Sequence, residues 1–175
     1  MKRELNKTKL IPSKRQPVNL KRILTRAKFS SQVTVDDTPK VTKCRDERCK
    51  TCEQLVVCSQ IEINKQSRLL FNIKNEMNCS VRDFIYIISC NGCNEKYIGE
   101  SGDTLRHRTN LHRNQISLPQ YRKLFVSKHI WECARTKTPM FNICPFFKLH
   151  NQDESYRKEK ENYFITKYKP KLNRW

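Results

Sequence analysis

The sequence has no apolar run of 18 or more residues, so it offers no helix able to span a bilayer. Its first ten residues, Met1 to Leu10, are too polar for a secretory leader. With both features missing, the expected setting is a reducing intracellular compartment, and this changes what the cysteines mean. There are nine of them. Under reducing conditions they are read as metal ligands before they are read as a disulfide framework. Nine is odd, so at least one thiol must stand outside any set of four-ligand sites. Acidic residues are scarce as well. The chain has 17 Asp and Glu against 36 Lys and Arg, a formal net charge of +19. Solubility alone does not need that surplus; it fits a polyanionic partner, nucleic acid ahead of an anionic membrane. The sequence also lacks internal repeats and low-complexity tracts, and 175 residues suit one ordinary domain with appendages.

Three stretches differ in character. Residues 1–43 are polar and rich in Lys and Arg, opposed only by Glu4, Asp36 and Asp37. They read as a basic arm or linker, extended apart from one short helix around Leu20–Lys28. Residues 44–80 hold Cys44, Cys49, Cys52, Cys58 and Cys79 and read as a Cys-rich zinc-binding segment. Residues 81–175 have the patterning of a globular domain.

Within that domain, Phe84–Ser89 is β-branched and aromatic, the composition of a buried strand. Asn91-Gly92 marks a turn, and Lys96–Ile98 pairs back as a second strand that Gly99 and Gly102 break. Asp103 is the expected N-cap of a helix from Thr104 to about Ile116. On that helix Leu105, Arg108 and His112 share one face. Phe141–Leu149 is a third strand, with Pro145 pointing to an edge or a bulge. A last helix runs from about Glu154 to Tyr168 and stops before Pro170. The order β-β-α-(α)-β-α predicts an α+β fold, a small antiparallel three-stranded sheet flanked by helices.

Tyr86 and Tyr97 can face one side of that sheet, beside Arg108 and His112, with Glu161 on the last helix closing the cleft. Two phenols, a guanidinium, an imidazole and a carboxylate suit phosphodiester hydrolysis. The attacking water needs a base, the transition state gathers negative charge that a cation must offset, and a carboxylate can hold a divalent ion on a phosphate oxygen. Each residue alone is more often structural: strand tyrosines usually pack, and a helix arginine is usually solvated.

Their order carries more. Phe84-Ile-Tyr86, then Tyr97-Ile-Gly99, Arg108, His112, Glu161 and finally Leu172-Asn173 resemble the GIY-YIG nucleases. The resemblance implies that Tyr86, Tyr97, Arg108, His112 and Glu161 form the active site, with Asn173 lining the same cleft. It also implies that Gly99 marks a place where the chain turns without a Cβ. The first motif departs by carrying Phe84 where the family has Gly. A narrower resemblance links Cys90-Asn-Gly-Cys93, Arg48–Cys52, Cys79-Ser80 and the segments Pro17–Leu20 and Leu24–Ala27 to the endonucleases of Penelope-like retroelements. No reverse transcriptase is present, so a C-terminal piece, a truncated copy and a separately encoded nuclease all remain open.

Two zinc sites are expected, both structural because four protein ligands leave no open position. Cys90-x2-Cys93 supplies half of one, completed by His129 and Cys133; the retroelement pattern has a second histidine where Cys133 stands. Cys44, Cys49, Cys52 and Cys79 form the other, with Cys58 as a rival fourth ligand. Cys144 is expected to be a small core residue, and His107 and His150 to be solvated. The catalytic ion would be separate, Mg²⁺ or Mn²⁺ held by Glu161. Tyr86 is the expected base; Arg108 and the metal would have to lower its pKa, while Tyr97 and His112 orient phosphate or water. The resemblance thus implies a metal-dependent DNA endonuclease, nicking chromosomal DNA in the nucleus so that a 3′-OH primes reverse transcription. Its partners would be DNA, retroelement RNA and a reverse transcriptase domain, with no membrane. The alternatives are a catalytically inactive, zinc-stabilised nucleic-acid-binding module and a structural role holding a reverse transcriptase on its template.

Overall fold

A computed structural model describes residues 38–64, 69–133, 141–150 and 153–173. The helix expected around Leu20–Lys28 lies outside them. The described residues fall within one compact unit, Asp37–Trp175.

The centre is β3 (Phe84–Cys90), all seven of whose residues are buried. An unbroken apolar run suits a strand covered on both faces. It pairs antiparallel with β4 (Lys96–Ser101) on one side and β5 (Phe141–Lys148) on the other. The sheet order is β4-β3-β5. This is the antiparallel three-stranded α+β sheet that the sequence predicts. Pro145 lies on edge strand β5 opposite Tyr86, where the register shifts, so both readings of that proline hold.

Gly99 does not break β4. The strand continues to Ser101 with Gly99 opposite Tyr86, and no glycine has positive φ. The backbone is ordinary here; the reason for glycine is space, as the site shows below. Edge strand β4 is sealed by the C-terminal tail: Leu172 N donates to Lys96 O, and Asn173 bonds both backbone groups of Ile98. A sealed edge leaves no open template for a foreign strand.

The helix α2 (Leu105–Ser117) is capped by Thr104, not Asp103: Thr104 Oγ1 accepts from His107 N. Asp103 instead accepts from Thr104 N and lies 3.1 Å from His107 Nδ1, whose side chain stays exposed as expected. His150 is exposed. After a 3₁₀ turn (Pro119–Tyr121) comes α3 (Phe125–Cys133), and after β5 comes α4 (Glu154–Tyr168), capped by Asp153 and closed by Lys169 in the left-handed region. Among the described residues no helix is long and apolar enough to cross a membrane.

The Cys-rich stretch brings more order than its composition suggested. It contains a short helix, α1 (Thr51–Gln54), and a hairpin of β1 (Gln60–Asn64) and β2 (Leu69–Asn72). Both join the main core. Leu55 bridges Ile143 on β5, and Phe71 packs edge-on against Phe146 and Phe164. Val41, at the end of the stretch read as basic arm, is wholly buried between Cys58 and Met77.

Candidate active site and metal clusters

Tyr86 projects from the middle of β3 toward α2. Its hydroxyl receives a hydrogen bond from Arg108 Nε at 2.7 Å and lies 2.8 Å from His112 Nε2. Arg108 and His112 stand one helical turn apart, so a single face of α2 delivers both to one phenol. Tyr97, on the neighbouring strand, lies with its ring 6.4 Å from that of Tyr86 and 6.3 Å from that of His112. Glu161 is half-buried on α4 and interacts electrostatically with Tyr97, Arg108 and Glu100; the backbone of Glu100 donates to its carboxylate. The structure therefore gathers all five residues singled out from the sequence around one spot.

Burial sets the chemistry of this group. Tyr86 has no solvent exposure. Burial, with Tyr97 beside it, pushes its phenol well above the ordinary tyrosine range, and the opposing pull of Arg108 is too small to reverse this. Tyr97 is raised too, by burial and then by the Glu161 carboxylate. Burial, helped by the Arg108 charge, pushes His112 down to about 3, so the imidazole is neutral at physiological pH. Glu161 is raised by burial and by Glu100.

Gly99 explains how a full tyrosine fits across the strand. A Cβ there would lie 2.5 Å from Tyr86 Oη, 2.6 Å from its Cζ and 2.9 Å from Tyr97 Cε1. Only a residue without a side chain lets the Tyr86 phenol pass β4 to reach Arg108 and His112.

Asn173 lines the cavity beside Tyr97, but its amide is spent on the backbone. Oδ1 accepts from Ile98 N and Nδ2 donates to Ile98 O, each at 2.8 Å. Arg157 is a participant that no sequence signal marks. It is 13% exposed and bonds Asp83 at 3.1 Å and Glu100 at 3.0 Å, joining α4 to the start of β3 and the end of β4. Glu161 follows one turn later on the same helix, so this clamp fixes its approach. Ion pairs between segments so far apart have no local pattern to betray them; Arg157 reads as one more charge on an amphipathic helix.

All nine cysteines resolve into three groups. Cys44, Cys49, Cys52 and Cys79 converge, as do Cys90, Cys93, His129 and Cys133, with the ligand atoms of each set within 4.8 Å of one another. A tetrahedral zinc with Zn–S near 2.3 Å requires S···S edges of about 3.8 Å. The separations of 3.4 Å for Cys44–Cys52 and Cys52–Cys79, and 3.2 Å for Cys93 Sγ–His129 Nε2, are slightly tighter than those edges and fit such an ion. Of the two rivals for the first cluster, Cys79 joins it. Cys58 sits instead 3.5 Å from Cys144, which is buried in the core as expected. The second cluster ties the β3–β4 turn to α3. Gly92 is needed there for closeness: a Cβ would lie 2.5 Å from Cys133 O and 2.8 Å from its sulfur.

The model of the GIY-YIG catalytic domain matches residues 82–173, and the chain belongs to that family. Membership gives it a nuclease-type hydrolase domain, of a kind that acts on DNA with divalent metals. Comparison with curated proteins and with solved structures returns no match.

Proposed function

We propose that the protein is a divalent-metal-dependent endonuclease that nicks DNA, with Tyr86, Tyr97, Arg108, His112 and Glu161 as its working set. The observation that carries this reading is the hydroxyl of Tyr86, held at once by Arg108 and His112 at 2.7 and 2.8 Å. A buried phenol bonded to both a guanidinium and a neutral imidazole is an aiming device. With His112 protonated on Nδ1, the phenol donates to Nε2 and accepts from Arg108 Nε. The Nη groups of Arg108 are thereby directed at the scissile phosphate, where charge grows in the transition state.

This arrangement assigns the base differently from the expectation that Tyr86 serves. Burial raises both phenols, but Tyr86 is sealed from solvent, whereas Tyr97 lines an open cavity. Tyr97, once ionised to the phenolate, is therefore the base that takes the water proton and returns to the neutral phenol, and Tyr86 and His112 are positioning residues. The carboxylate of Glu161 would hold the divalent ion, Mg²⁺ or Mn²⁺. Such an ion acidifies bound water and neutralises a phosphate oxygen. A cation at Glu161 also cancels the carboxylate charge that raises Tyr97, while Arg108 already lowers it. The clusters at Cys44/Cys49/Cys52/Cys79 and Cys90/Cys93/His129/Cys133 would each hold a structural zinc. Asn173, whose amide bonds Ile98, serves by keeping β4 and Tyr97 in place.

The cysteine knuckle between the tyrosine motifs favours a place among the nucleases of Penelope-like retroelements, making the chromosomal nick whose 3′-OH primes reverse transcription. The setting would be nuclear, with retroelement RNA and a reverse transcriptase domain as partners. The basic arm 1–43, the Cys-rich segment 44–80 and the nuclease domain 81–175 would divide affinity, bracing and chemistry among them. The test is conversion of supercoiled plasmid to open circle with Mg²⁺ or Mn²⁺, comparing the wild type with Glu161→Ala. Nicking by the wild type alone, with DNA binding kept by both, is the expected result. Binding without nicking by either would establish the inactive nucleic-acid-binding module instead.

A further inference from the structure

Arg108 stands on the wall between two cavities of opposite character. On one side is an open polar cleft of about 500 Å³, lined by Arg82, His107, Arg157 and their acidic partners. On the other is a cavity of about 600 Å³, walled by Leu124, Phe125 and Val126 at the start of α3 and by Ile165 and Leu172. Tyr97 and His112 form its floor, and the side-chain amides of Gln115 and Asn162 also reach it.

Hydrolysis needs a phosphate, a water and a metal. All three are polar and none benefits from an aliphatic wall, because moving charge against apolar surface is costly. A cavity of this size, with an apolar wall facing convergent polar groups, has the make-up of a pocket for a small flat organic group. Beside an arginine aimed at a phosphodiester in DNA, the group available is the base of an adjacent nucleotide. In duplex DNA that base is stacked and cannot enter. To fill the pocket it must swing out, at an unstacking cost that is least when the base is unpaired.

We infer that the cavity between α2, α3 and α4 is a pocket for one unstacked nucleobase next to the scissile phosphate. The base packs against the Leu124–Val126 wall, its edge meets Gln115 or Asn162, and its phosphate rests on Arg108 with Tyr97 left to the attacking water. The polar cleft carries the continuing backbone past Arg82 and His107. This rests on the nuclease reading and adds a substrate preference to it: nucleotides that leave the stack easily should be cut fastest.

The experiment uses the full chain and a duplex spanning a mapped nick site. 2-Aminopurine is placed singly at the two nucleotides flanking the nick and at distant controls, with Ca²⁺ replacing the catalytic ion. Binding should brighten one flanking position severalfold and leave the controls unchanged. In Mg²⁺, a mismatch at that nucleotide should speed cutting. An abasic nucleotide there should weaken binding roughly tenfold, the scale of one lost stacking contact. Val126→Trp, which fills the cavity from its rim, should abolish the brightening and the mismatch preference; a wild-type melting curve establishes that it folds. Nicking with no brightening at either flank, or with indifference to mismatch and abasic substitution, overturns the pocket and leaves the nuclease standing. No nicking of any substrate overturns the nuclease reading on which the pocket rests.

Discussion

Adding one methyl group at Gly99 is the sharpest test of how the site is built. In Gly99→Ala the new Cβ starts 2.5 Å from Tyr86 Oη and 2.6 Å from Cζ. Ordinary contact between such atoms needs about 3.5 Å, so the ring or the strand must move by about 1 Å. Tyr86 cannot swing aside cheaply, because it is fully buried and its hydroxyl is tied to Arg108 and His112. Overpacking of this kind costs about 1–3 kcal/mol. At roughly 2–4 °C per kcal/mol for a chain of this size, melting should fall by several degrees without loss of fold. Activity should fall further. A displacement of about 1 Å in a positioning group costs on the order of 100-fold in rate, and Arg108 loses its aim when the phenol shifts. The assay is single-turnover nicking of supercoiled plasmid at saturating DNA, beside a melt and a binding titration. Tyr86→Phe should lose a comparable factor, and the double variant should be little worse than either single, since both remove one function. Wild-type nicking by Gly99→Ala would refute the claim that the glycine exists to admit Tyr86.

Tyr97→Phe should remove the rise of rate with pH that deprotonation of the base produces, whereas Tyr86→Phe should lower the plateau and leave that rise in place; the reverse pattern would return the base role to Tyr86. His112, held at about 3 when folded, starts from about 6.5 when unfolded. Between those values the unfolded chain binds the extra proton, so stability should be complete above pH ~6.5 and fall as pH drops toward 3. Denaturant melts should show His112→Asn with a shallower slope in that window, and equal slopes would place the imidazole in solvent. Purified protein should carry close to two zinc ions by elemental analysis; Cys93→Ser should release one, lower the melt and slow nicking, while full activity with an unchanged melt would make that cluster incidental. Deleting residues 1–36, which spares the buried Val41, should flatten the salt dependence of binding by roughly 0.9 in log–log slope per lost phosphate contact on duplex DNA, and an unchanged slope would make the arm a linker only.

Much of the site was legible because local periodicity placed it. Alternation along β3 and β4 put Tyr86 and Tyr97 on one surface, and a four-residue step put Arg108 and His112 on one face of α2. The same signals failed where the deciding contact is distant. Gly99 looks like a strand breaker because glycine is usually weak in strands, yet here the strand needs it to admit a phenol from the opposite residue. Asp103 and Thr104 are both good caps by type; the structure gives the capping bond to Thr104 and leaves Asp103 to His107. Nothing in the spacing chooses between Cys58 and Cys79. The choice comes from backbone pairing: Cys58 is drawn into a bridge with Val41, whereas Cys79 O accepts from Arg106 N in the first turn of α2.

That last bond fits a bracing role for the proposed zinc clusters. Three strands and their helices make a small core, and small cores commonly need staples to hold a fixed geometry. Neither cluster includes a residue of the proposed working set, yet each is joined to an element that carries one. Cys79 holds the start of α2, whose next turn bears Arg108. Cys90 and Cys93 hold the turn between the strands of Tyr86 and Tyr97, tied through His129 and Cys133 to α3, whose first residues wall the apolar cavity. Arg157 performs the same service for α4 and Glu161 with two ion pairs in place of the proposed zinc. Each element bearing a proposed working residue thus has its own anchor at one end. Loss of a single anchor should misplace one wall of the site while the others stay in register.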